Sequence, residues 1–203
     1  MIEKIAPAKR SMADVTGRHN YPELISVFNR CFAQGVGVDG ENTRLVCGGS
    51  EPMYYPAGMP LDDAFSYHRI IFAHGFFASA LHELAHWCVA GKDRRRQVDF
   101  GYWYIPDGRT LEQQRAFERV ESRAQAIEWL LASACDFNFA VSVDNLTGQA
   151  GDNSAFKAAV YRRVEHYLSA GVNSRTQRLL KALADFYGVA DPLAKERFSL
   201  ADL

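Results

Sequence analysis

The segment FFASALHELAHWCVAG, residues 76–91, constrains this chain more than any other. It contains His82-Glu83-x-x-His86. On an α-helix, residues four apart sit about 40° apart around the axis and about 6 Å apart along it. Both imidazoles then leave one face and can close on a single ion. Leu81, Leu84, Ala85 and Cys88 fall on the other register and can anchor the helix in a core. A fold that uses this helix must bury one side of it and bring a distant ligand to the other. A chance match arises in roughly one chain of this composition in a hundred. The ordinary alternative is a helix with two structural histidines.

Two imidazoles leave a divalent ion short of protein ligands. The metzincin continuation needs glycine at position 89 and histidine at 92, and the chain has Val89 and Lys92. The other common solution is a glutamate from a later helix. FERVESRAQAIEWL offers Glu118, Glu121 and Glu128. Glu121 is preferred, because it borders the stripe Phe117, Val120 and Ala124 and because small Ala124 lets two helices approach. Glu128 is the second choice, and a solvated helix face is the ordinary fate of either. Asp99 is a candidate to orient a ligand imidazole. His68 and His74 flank HRIIFA and could reach a metal or substrate, though histidines at strand ends are more often structural. Phe100, Tyr102 and Tyr104, with Trp103 opposite, could line a pocket, but aromatic residues at strand period are more often core.

Around this helix the pattern reads as one α+β domain. NYPELISVFNRCF is a helix capped by Asn20, with Leu24, Phe28, Cys31 and Phe32 as its stripe. TRLVCG, PMYYPA, HRIIFA and QVDFGYWYI are strand candidates, the last turned by PDG. The metal helix should stop at Gly91 in a left-handed conformation. Thr110 should cap the next helix, whose stripe is Phe117, Val120, Ala124, Ile127 and Leu131. Two C-terminal helices should run from Ser154 to about Ala170 and from Ser174 to about Tyr187, ended by Gly171 and Gly188. Residues 1–18 are polar and aperiodic and read as a flexible lead-in to a single domain over 19–203.

Charge and cysteine content exclude several classes. The 203 residues carry a formal net charge of −1, with no global pull toward nucleic acid or an anionic membrane. The chain shows no secretory signal and no run of about 18 apolar residues. Cys31, Cys47, Cys88 and Cys135 form no C-x-x-C pair and fit reduced thiols in the cytoplasm. A monomer is the expected state. Lys92, Arg94, Arg95 and Arg96 follow the metal helix, where they either offset its macrodipole or dock an acidic or phosphate-bearing partner.

His82, His86 and Glu121 are first of all a zinc-peptidase ligand set, with Glu83 taking a proton from the attacking water. The same donors form two histidines and one carboxylate, the set of non-haem iron oxygenases. Ligand identity does not separate the two.

The chain also resembles the bacterial elongation factor P hydroxylase family. The resemblance is carried by YPELISVFNRCF, NTRLVCGGSEPMYYPA and above all HRIIFAHGFFASALHELAHWCVAGKDRRRQVDFGYWYIPDGR, extended by VESRAQAIEW and VSVDNL. It implies a zincin-like fold put to oxidative use. By resemblance, His82 and His86 fall on the family's metal histidines, Glu121 on its carboxylate ligand, and Glu83 keeps its place as the candidate catalytic residue without a proteolytic role. The implied activity is hydroxylation of the lysylated lysine of elongation factor P, with Fe(II) as cofactor and molecular oxygen as cosubstrate. A zinc-dependent peptidase is the alternative.

Overall fold

The computed structural model describes residues 17–34, 40–58, 65–98, 111–142 and 153–203, with the side chains of 111–116 excepted. Helix α1 spans Tyr21–Phe32 and starts where the Asn20 side chain accepts the Glu23 amide. Its stripe Leu24, Val27, Phe28 and Phe32 is buried, while Cys31 sits at the border. Strands β1 (Thr43–Cys47), β2 (Met53–Tyr55) and β3 (His68–Phe72) form one sheet in the order β1-β3-β2. β1 runs parallel and β2 antiparallel to β3. Three of the expected strands are therefore present. The fourth, QVDFGYWYI, is described only at Gln97 and Val98, which are not strand; the rest of it, its PDG turn and the Thr110 cap lie outside the described residues.

Among the described residues four further helices follow: α2 (Phe77–Val89), α3 (Leu111–Ala134), α4 (Ser154–Ala170) and α5 (Ser174–Tyr187). Arg94–Arg96, Lys195–Arg197 and Leu200–Asp202 form short 3-10 turns. The core gathers α1 and α2 with β1 and β3, and continues through α3, α4 and α5. On α2, Leu81, Leu84, Ala85 and Cys88 are all buried, so the apolar register does anchor the helix. On α3, Ala124, Ile127 and Leu131 are buried, while Phe117 and Val120 are only half-buried. The caps of α4 and α5 are Asn153 and Asn173, one residue before the expected serines. The Asn173 side chain accepts the Thr176 amide.

The end of α2 differs from the sequence expectation. The helix stops at Val89, Ala90 is extended, and Gly91 has no left-handed backbone. Its last carbonyls are satisfied from α5 instead. Arg175, buried, donates to the carbonyls of Ala90 (2.7 Å), Cys88 (3.0 Å) and Trp87 (3.4 Å), and Asn173 Nδ2 donates to Cys88 (2.8 Å). A cation at a helix C-terminus also meets the negative end of the dipole. Trp87 packs edge-on to Phe28 and Phe32 and under the Arg175 guanidinium. Gly40, at φ 88°, closes this stack; a Cβ there would lie 2.6 Å from the Trp87 ring. The metal-motif helix is thus held at its tail by a side chain some 90 residues downstream.

All four cysteines are free, two of them buried. Burial pushes the Cys135 and Cys31 thiols up, despite neighbouring arginines, which fits unreactive packing residues. Among the described residues, no helix is long and apolar enough to cross a membrane.

Candidate metal centre

Helix α2 packs against α3, and His82 and His86 of α2 meet Glu121 and Glu128 of α3 across that contact. His82 Nε2 and His86 Nε2 lie 3.0 Å apart. Glu121, from α3, reaches them with Oε1 3.4 Å from His82 Nε2 and Oε2 3.5 Å from His86 Nε2. One ligand atom from each residue lies within 4.8 Å of the others. Two donors each about 2.1 Å from one ion are about 3.0 Å apart at a right angle and about 3.4 Å apart at the tetrahedral angle. The donor set and its spacing therefore fit a single first-row divalent ion. The imidazoles keep 19% of their side-chain surface and Glu121 keeps 9%, so the group is sheltered but reachable.

A second layer holds these donors. Glu128 Oε2 accepts from His82 Nδ1 at 2.7 Å. That bond assigns the proton to Nδ1 and turns Nε2 toward His86 and Glu121, the carboxylate–histidine arrangement that orients metal ligands. Gln125, buried one turn after Glu121, donates through Nε2 to Glu121 Oε1 (3.3 Å) and to the Ser142 carbonyl (2.6 Å). Its Oε1 accepts the Ser142 amide at 3.1 Å. Glu121 is thereby tied to the backbone that follows α3.

The electrostatics follow from this packing. Burial alone would lower the His82 pKa, but the carboxylates of Glu128 above all, then Glu121 and Glu83, overcome it and push it up to about 10. Burial would raise Glu121, but its hydrogen bond to His86 and the charges of both histidines hold it down at about 2. Without a cation the centre is thus a protonated imidazole among carboxylates. A metal ion would take the place of the proton on His82 Nε2.

The sequence pattern of the elongation factor P hydroxylase family matches residues 27–198. The elongation factor P lysine hydroxylase of Haemophilus influenzae is 48% identical over 182 residues, which covers 90% of this chain and 97% of that protein. The chain belongs to the elongation factor P hydroxylase family. The family match contains the whole of α2 and α3, and with them all the residues of the centre.

The expected site residues separate cleanly. His82, His86 and Glu121 come together, and Glu83 sits half-buried beside His82, close enough to act on its charge. Glu128 is at the centre too, bound to the outer nitrogen of His82. Glu118 lies on the flank of α3, in a cleft with α4. His68 is not in the donor group: its Nδ1 accepts the Ala57 amide (3.1 Å) beside the Tyr54 hydroxyl, which donates to the Arg95 carbonyl (3.0 Å). Burial, then the Arg95 charge, lower the His68 pKa, so it serves as a neutral structural side chain. His74 is exposed at φ 63°, in the turn before α2. Asp99 and the aromatic run Phe100, Tyr102, Trp103 and Tyr104 lie outside the described residues. Gln125 was missed from sequence, although a signal existed. Glu121, Gln125 and Glu128 follow at i, i+4 and i+7, where a helix facing a core should be apolar.

Proposed function

We propose that this chain is an iron-dependent, oxygen-using hydroxylase that acts on the lysylated lysine of elongation factor P, with His82, His86 and Glu121 as metal ligands. The observation that carries this reading is the convergence of two Nε2 atoms and one carboxylate, backed by Glu128, in a member of this family. Two histidines and one carboxylate on one side of an ion leave positions open, as non-haem iron oxygenases require. Iron held there supplies the activation of molecular oxygen that hydroxylation of a C–H bond needs.

The chain's own residues do the rest. Glu128 keeps the proton on His82 Nδ1, so that Nε2 presents its lone pair inward. Gln125 restrains Glu121 through the amide it shares with Ser142. Burial keeps bulk water from the donors, which strengthens each of these interactions. Glu83, Glu121 and Glu128 make the surroundings acidic, which suits a long side chain that ends in an ammonium group. Glu83 is the catalytic candidate: it is half-buried beside His82 and is not one of the three proposed ligands, and its carboxylate has the chemistry to hold that ammonium or accept a proton. The HExxH helix, a glutamate from the next helix and the adjoining small sheet support a zincin-like reading of the domain, taken over 19–203. The cytoplasm, where elongation factor P acts in translation, is the proposed compartment, and a monomer the proposed state.

The test is reconstitution. Metal-free protein is loaded anaerobically with Fe(II) and given an excess of a chemical reductant, which supplies the two electrons that take the second oxygen atom to water. On admission of air it should add the mass of one oxygen atom to lysylated elongation factor P. Zinc-loaded protein should add nothing. Full activity with zinc alone, or cleavage of a peptide bond, would return the zinc-peptidase alternative.

A further inference from the structure

Helices α3 and α4 enclose a cleft of about 510 Å³. Glu118, Arg119 and Ser122 line it from α3, and Arg162, Arg163 and His166 from α4. Three arginines against one glutamate leave a local charge of +2, in a chain whose net charge is −1. Among the described residues, no carboxylate pairs with Arg119, Arg162 or Arg163, nor with Arg123 one turn further along α3. Some surface cations elsewhere are paired: Lys181 with Asp185, Arg96 with Asp93, Arg18 and Arg197 with Asp136. Three guanidiniums lining one cleft outnumber its single carboxylate, and an anion relieves the repulsion that remains.

The kind of anion follows from exposure and position. Arg119, Arg162 and His166 are exposed. A small hydrated ion gains little from such groups, whereas a surface that engages several at once sums many weak contacts. Single-stranded nucleic acid needs exposed rings to stack on, and Phe156, the aromatic side chain of the lining, is buried. Position points the same way. Ser122 follows the candidate ligand Glu121 directly, and Glu118 precedes it by three residues, about 4.5 Å along the helix. A macromolecule that sends one side chain to the metal centre would meet this cleft alongside.

We propose that the α3–α4 cleft docks an acidic surface segment of elongation factor P, whose carboxylates pair with Arg119, Arg162 and Arg163 while the lysylated side chain enters the metal centre. This rests on the hydroxylase reading above. The acidic centre takes the cationic side chain, and the basic cleft takes the acidic surface beside it. The two opposite charges fix the orientation in which the substrate approaches.

Charge reversal tests this directly. Arg162→Glu/Arg163→Glu and Lys181→Glu/Lys195→Glu carry the same change in net charge, and the second pair lies outside the cleft. Both proteins and the wild type are loaded with the same metal and titrated with lysylated elongation factor P at low and at physiological salt. The cleft variant should bind at least tenfold more weakly at low salt, with the deficit shrinking as salt rises. Its KM should rise with kcat retained, and its metal content and circular dichroism should match the wild type. A folded cleft variant that binds as tightly as the wild type overturns the proposal and leaves the hydroxylase reading standing. So does an equal loss in the Lys181/Lys195 control, or a loss confined to a single-stranded oligonucleotide. Wild-type protein that neither binds nor hydroxylates elongation factor P overturns both.

Discussion

Helix α3 carries polar residues on two faces, and the structure treats the two in opposite ways. Toward α2 it presents Glu121, Gln125 and Glu128, all buried, each bound to a named partner. Toward α4 it presents Glu118, Arg119 and Ser122, lining an open cleft whose arginines outnumber its one carboxylate and make no ion pair among the described residues. Charged groups are seldom buried unless paired, because the interior offers no water to replace the lost hydration. The inner face therefore had to be completed by the protein itself, and the result is a compact donor group that could hold a metal ion. The outer face can leave its charges to solvent, and is suited to a partner that comes and goes. In the proposed reading, one helix separates holding a metal from recognising a macromolecule.

The largest effects should come from the inner face. His82→Ala, His86→Ala and Glu121→Ala should each abolish metal retention and hydroxylation. The fold should persist, since Leu81, Leu84 and Cys88 anchor α2 independently. His82→Ala also strands the Glu128 carboxylate, at a cost of about 1–3 kcal/mol seen as a lowered Tm. Metal analysis decides the ligand roles: retention in Glu121→Ala with loss in Glu128→Ala would exchange the two glutamates.

Glu128→Gln should act more gently. It keeps shape and a hydrogen-bond acceptor but removes the charge behind His82, and should weaken metal binding by about 10–100-fold in a chelator competition. An unchanged affinity would mean that Glu128 merely fills space.

A smaller effect should appear in the pH dependence of the metal-free protein. The His82 pKa is raised from 6.5 to about 10, so its contribution to stability is complete below pH 6.5 and is lost as pH rises toward 10. Glu121 is lowered from 4.5 to about 2, so its contribution is complete above pH 4.5 and is lost as pH falls toward 2. Tm should therefore be highest between about pH 4.5 and 6.5 and fall on both sides. Metal should oppose the alkaline fall, because binding displaces the His82 proton and strengthens as that proton is lost. A Tm of the metal-free protein that climbs from pH 6.5 to 9 would contradict this account.

The smallest effect should come from the basic turn after α2. Arg94→Ala/Arg95→Ala/Arg96→Ala should lower affinity for elongation factor P only a few-fold at low salt, by about 1 kcal/mol or less, without touching metal content. Arg96 already pairs with Asp93, and Arg94 and Arg95 are half-buried. A deficit larger than that of the Arg162/Arg163 variant would move the docking surface from the cleft to this turn.

What local chemistry governs was legible in the sequence. Asn20 caps α1 because a side-chain oxygen reaches the amide three residues on, wherever the helix sits. The spacing of His82 and His86 sets two imidazoles on one face for the same reason, and TRLVC, MYY and HRIIF pair as strands of a small sheet. Other features were decided by tertiary contact. Gly91 is not the stop of α2, because Arg175 and Asn173 satisfy its carbonyls from α5 and remove the need for a left-handed cap. Of three candidate glutamates on α3, the apolar stripe favours Glu121, which does meet the histidines, but it does not give the roles of Glu118 and Glu128. Which one meets the Nε2 atoms, which backs Nδ1 and which faces α4 depends on how α3 is rotated against α2. That rotation is set by packing of the whole core, to which residues far apart in the chain contribute together.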